Sequence, residues 1–103
     1  MSKKDQLENL AVFIGLKAAH EIMIKSTNKS ESIHHLKQEA DTYDNLSVEL
    51  SKGNWNKEDI LEIKKLAIKR CNKKLEKYPD IDNKKYDEVN DTIDRIMTDL
   101  DLI

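Results

Sequence analysis

Apolar residues recur along this chain at steps of three and four, the period of an amphipathic helix, in four separate stretches. The first differs from the rest. Over Leu10 to Ile24, LAVFIGLKAAHEIMI, apolar residues occupy more than one side of the predicted helix. Leu7, Leu10, Ile14, Ala18 and Ile22 fall on one face, and Val12, Phe13, Leu16, Ala19, His20, Met23 and Ile24 on another. Between them runs a strip of small residues, Ala11, Gly15, Ala19 and Ser26, that would let a second backbone approach closely. A helix apolar nearly all round is normally buried on most sides.

The other stretches read as one-sided helices with narrow seams. Ile33, Leu36, Ala40, Tyr43, Ser47 and Leu50 form the second, and Ile60, Ile63, Ala67, Cys71, Leu75 and Tyr78 the third. Tyr86, Val89, Ile93, Ile96, Leu100 and Ile103 form the fourth. Their ends carry recognisable signals. Asn28 or Ser30 is placed to cap the second helix and Gly53 to end it. Asn56 is placed to cap the third, with Trp55 and Ile60 as a hydrophobic staple, and Ile81, Asp82 and Tyr86 repeat that device at the fourth. Pro79 stops the third helix near Tyr78. The predicted helices are therefore 4–26, 31–52, 57–78 and 83–102, in a single domain spanning 1–103. Short connections between helices of similar length predict an all-α, antiparallel up-down-up-down four-helix bundle. Three narrow seams have little left to cover the face bearing Phe13 and Leu16, so the bundle is expected to self-associate there.

Composition adds to this picture mainly through charge. Net charge is only -2, which gives the whole molecule no strong attraction for nucleic acid or anionic lipid. Signs alternate by helix: the first and third carry an excess of Lys and Arg, the second and fourth of Asp and Glu. Sequence neighbours are thus expected to be space neighbours. The lone Cys71 sits on the core seam and reads as a small buried hydrophobe. The apolar run at Leu10 is shorter than the roughly 20 residues of a membrane span. It follows Asp5 and Glu8 and contains Lys17, unlike a secretory signal. The expected location is the cytoplasm, with no membrane partner.

Candidate chemistry concentrates in ESIHHLKQEAD. Glu31, His35 and Glu39 lie four apart on one helical stripe, and His20 could approach them from the first helix, a donor set of the kind helical bundles use for metals. Glu and His pairs at this spacing are also ordinary on helix surfaces, so the expected state holds no metal and no cofactor. In the same segment, His34-His35-Leu36-Lys37 resembles the His-x-Leu-Lys stretch of histidine-containing phosphotransfer domains, which are four-helix bundles of about this size. The resemblance implies an exposed His34 that accepts a phosphoryl group, with Lys37 beside it to stabilise the added charge. That family has glycine after the lysine; this chain has Gln38, then Glu39.

Lys65, Lys69, Lys73 and Lys77 form the only basic ladder and the only candidate contact for nucleic acid. Glu62 and Glu76 interrupt it and no aromatic is interleaved, which favours a solvated face. Neither a glycine-rich phosphate loop nor a nucleophile with a base at local spacing occurs, so no catalytic activity is expected. The leading expectation is a cytoplasmic interaction or regulatory module whose partner is itself or another protein. As a homodimer it would use Val12, Phe13, Leu16, Ala19, His20 and Met23, joined by Leu102 and Ile103. Phosphotransfer through His34 and metal binding at Glu31, His35, Glu39 and His20 are the alternatives.

Overall fold

Each predicted seam is helical over most of its length, and most of its apolar residues are what the helices bury against one another. The computed structural model describes residues 2–26, 30–78 and 83–103, the side chains of 30–32 and 83–85 excepted. Its elements are α1 (Lys3–Ser26), α2 (Ser30–Ser51), α3 (Lys57–Glu76), a 3-10 turn (Asn83–Glu88) and α4 (Val89–Asp99). Among the described residues there is no strand. The core is continuous, with Leu10, Ile14 and Ile22 of α1, Ile63 and Leu75 of α3, and Ile93 and Ile96 of α4 fully buried in it.

The helix that is apolar on two sides takes the centre. α1 packs along its length against both α2 and α3, while α4 lies against a further side of α1 and against α3. Among the described residues α2 has at most marginal contact with α3 or α4. Adjacency of sequence neighbours therefore holds for α1 with α2 and α3 with α4, and fails for α2 with α3. The small-residue strip explains the difference. A Cβ placed on Gly15 would lie 2.6 Å from the Ala67 carbonyl oxygen and 2.8 Å from Arg70 Cβ, so the backbones of α1 and α3 touch. That close approach makes α3 a direct partner of α1 and leaves α2 to pack on α1 alone.

Ion pairs tie α1 to each of its neighbours. Lys3 meets Asp59 of α3 at 2.9 Å, Lys17 meets Asp44 of α2 at 2.6 Å, and Glu21 accepts from Arg95 of α4 at 2.6 Å. Exposed pairs of this kind contribute about 0–1 kcal/mol each, so they select register more than they stabilise. Along the seam with α2, Lys17 meets Asp44 and His20 meets Glu39, so residue numbers fall on α2 as they rise on α1.

The helix ends follow local chemistry. The Asp59 N–H donates to Asn56 Oδ1 at 2.8 Å and the Asn56 N–H donates to Asp59 Oδ2 at 3.2 Å, a capping box with Asp in place of the usual Glu or Gln. Trp55 and Ile60 are half-buried against the core on either side of it. Gly53 follows α2 as predicted, for a different reason: its φ is not positive, but a Cβ there would sit 3.1 Å from the Trp55 indole. The indole N–H in turn donates to the Leu50 carbonyl at 3.0 Å and closes the end of α2. The predicted capping roles of Asn28, Ile81 and Asp82, and of the Ser30 side chain, lie outside the described residues.

The fourth helix is shorter than its seam. Asn83–Glu88 is 3-10, and α4 stops at Asp99 because Asp101 takes a left-handed φ of 60°. The Leu102 N–H then reaches the Met97 carbonyl at 2.9 Å and the Asp101 N–H the Thr98 carbonyl at 3.0 Å, a Schellman motif with Asp where glycine is usual. Leu102 is thereby folded onto the core, 8% exposed, while its neighbour Ile103 is 55% exposed. Cys71 is buried as its seam position implies, and burial pushes its thiol up to about 12, which makes it inert.

Gly15→Ala should lower stability. The added methyl overpacks the α1–α3 contact, at a cost of about 1–3 kcal/mol. Helix propensity returns roughly 1 kcal/mol. The urea midpoint should fall with an unchanged slope, whereas a raised midpoint would mean that the two backbones are not in contact.

Candidate functional site

The second face of α1 divides in two. Val12, Phe13 and Leu16 are half-buried, whereas Ala19, His20 and Met23 are buried within the chain. The expected six-residue interface is corrected accordingly: its C-terminal half is already covered. Part of the cover comes from α2, where Tyr43 stacks toward Phe13 (centroids 6.3 Å apart, planes at 20°) and meets His20 edge-on at 5.3 Å.

His20, 1% exposed, holds α1 to α2 through a polar cluster. Its Nδ1–H donates to the Leu16 carbonyl at 2.7 Å, and its Nε2 faces Glu39 Oε2 at 2.5 Å. Both ring nitrogens thus face oxygen acceptors, one on the backbone of α1 and one on α2. The other Glu39 oxygen lies 3.0 Å from His35 Nε2. Burial pushes the Glu39 carboxyl up, but the hydrogen bond and charge of His20, with the charges of His35 and Lys74, outweigh it and hold the carboxyl below its ordinary value.

The fold therefore gathers three members of the metal set that the sequence suggests, His20, His35 and Glu39, while the Glu31 side chain lies outside the described residues. Among the described residues no group of three or more His, Cys, Asp or Glu is arranged to hold a metal ion. The geometry shows why: each Glu39 oxygen is occupied by one imidazole, and the second nitrogen of His20 points into its own helix. His34 is exposed, and its Nε2 accepts from the Gln38 amide at 3.2 Å. Lys37 is exposed and lines a separate α1–α2 groove of about 460 Å³ with Lys17, Glu21, Asp41 and Asp44.

The basic ladder of α3 does not stay together. A step of four residues advances about 40° around a helix, so Lys65 and Lys77 point roughly 120° apart. Lys73 and Lys77 join Arg70 and Lys74 in a cleft of about 240 Å³ between α2 and α3, with Leu16 and Tyr43. Lys69 joins Arg70 and Lys73 in the adjacent groove of about 290 Å³, with Glu8, Val12 and Leu66. Lys65 lines neither. The row that shares a face is Arg70, Lys73, Lys74 and Lys77, and its three-one-three spacing was the signal available in the sequence. Among the described residues, Lys69 and these four make no ion pair. The result is a concave face with a floor of Val12, Leu16 and Leu66 and a rim of cations.

Comparison with protein-family models, with curated proteins and with solved structures returns no match. Among the described residues no helix is long and apolar enough to cross a membrane.

Because Glu39 is held below the unfolded value of 4.5, its contribution to stability is present above pH 4.5 and is lost as pH falls through the lower folded value. Urea unfolding across a pH series should show the native chain losing stability more steeply below pH 4.5 than Glu39→Gln. Equal slopes would remove the His20–Glu39 pair from the forces that hold α2 to α1.

Proposed function

We propose that this chain is a small cytoplasmic protein-interaction module, without a catalytic step of its own, that docks another protein on the α1 face between α2 and α3. The scaffold is read as an up-down-up-down bundle whose central helix presents Val12 and Leu16 at this face. One observation carries the reading. Val12 and Leu16 of the central helix are half-buried and line grooves whose cations make no ion pair among the described residues. Apolar surface rimmed by unpaired charge is the usual composition of a recognition patch.

Self-association through this face is the competing occupant. A two-fold axis would set the basic rim of one copy against that of the other, and like-charge juxtaposition costs several kcal/mol at an interface. A different protein is therefore the favoured partner.

The test compares the native chain with Leu16→Asp, which alters a side chain at the edge of the core and should leave the helical circular dichroism unchanged. Light scattering should find the native chain at its monomer mass of 12.0 kDa. Extracts of the source cells should yield one stoichiometric partner retained by the native chain and lost by Leu16→Asp. A native dimer that Leu16→Asp dissociates would assign the face to a second copy. Equal behaviour of the two proteins would take the function away from this face.

A further inference from the structure

We infer that the occupant of this face is an acidic amphipathic helix of a partner protein, with its apolar side on Val12, Leu16 and Leu66 and its carboxylates on the cations of α3. The inference rests on the docking reading above and adds the chemistry of the partner. Three observations carry it: continuity, floor and charge.

The two grooves are one surface, since Arg70 and Lys73 line both. From Leu66 to Lys77 the face runs about 16 Å along α3, three turns of a docked helix. Helix-in-groove recognition uses anchors on one face over that length.

The floor excludes a ligand that is only charged. A phosphate or polyphosphate would neutralise the rim and leave Val12, Leu16 and Leu66 in water. The phosphate backbone of a nucleic acid would do the same, and a single strand would in addition seek aromatic faces for its bases. The one aromatic lining the grooves is Tyr43, and its ring is engaged with Phe13 and His20. An amphipathic helix is the ligand that satisfies floor and rim together.

Five cations, Lys69, Arg70, Lys73, Lys74 and Lys77, line the face against a single carboxylate, Glu8, at one end. Glu39, whose carboxyl responds to the charge of Lys74, flanks the other. The partner helix must therefore be acidic. A second copy of this chain does not supply such a helix from α4. Its acidic α4 buries its apolar side, Val89, Ile93, Ile96 and Met97, within its own core. Asp94 and Asp99 are already paired with Lys64 and Arg95.

Fluorescence anisotropy on the full chain tests this with three labelled helical peptides of about 18 residues, five turns. The first carries leucines at three-four spacing flanked by glutamates, the second has lysine for every glutamate, and the third has serine for every leucine. The first peptide alone should bind. Its affinity should fall about tenfold or more between roughly 50 and 300 mM NaCl, as expected for a charge-assisted groove. Lys73→Glu combined with Lys77→Glu should weaken it by a similar factor, Leu16→Asp should abolish it, and Lys65→Glu, on another side of α3, should leave it unchanged. Equal binding of the lysine peptide, equal binding of the serine peptide, or no binding of the first would each overturn the inference; the serine result would mark a bare anion site. In all three cases the retained partner of the Leu16→Asp comparison reports separately whether the face docks a protein at all.

Discussion

The contact between Gly15 and the backbone of α3 at Ala67 is the constraint from which the rest of the arrangement follows. Helices that meet through ordinary side chains sit 8–10 Å apart and leave room for each neighbour to touch two others. Here a hydrogen stands where any other residue would place a methyl, and the Ala67 carbonyl and Arg70 Cβ fill the space. Both helices carry a net positive charge, yet they meet through small neutral residues, with Lys3 and Asp59 as an ion pair at one end. Close packing outweighs like net charge because the charges point elsewhere and are screened by water.

Bringing α1 against α3 changes what the remaining helices can do. α4 packs on α1 on the side that includes Glu21, and α2 packs on α1 with little help from the others. The gap between α2 and α3 is then a consequence of the packing and needs no separate cause. It leaves Val12 and Leu16 of α1 lining grooves, and it turns one row of α3 cations toward them.

With few neighbours of its own, α2 is held by a polar device set into an apolar seam. His20 is almost wholly buried, its two nitrogens bridge the Leu16 carbonyl and Glu39, and Tyr43 packs against the ring. A buried imidazole without such partners would destabilise the helix pair, and with them it specifies the alignment of α2 on α1. Lys17 and Asp44 hold the same register one turn away. Glu39 thus has a structural place in the fold, and its two oxygens are engaged in a way that the spacing Glu31, His35, Glu39 does not reveal.

The four helices, their seams and most of their boundaries were determined by the sequence by itself. Periodicity, capping and staple signals act between residues within one or two turns, as with Asn56 and Asp59 or with Ile63, Ala67 and Cys71. The small-residue strip was equally legible, and so was the burial of Cys71. Only the tertiary structure decided which helix covers which face of α1, and hence that Ala19, His20 and Met23 are interior while Val12, Phe13 and Leu16 are not. It also decided that Gly53 makes room for Trp55, that Asp101 turns Leu102 inward, and that Arg70 and Lys74 rather than Lys65 stand with Lys73 and Lys77. The physical reason is common to these cases. Burial and charge clustering arise from contacts between segments far apart in the chain, and a local pattern shows only that a face is apolar or charged, not what comes to lie upon it.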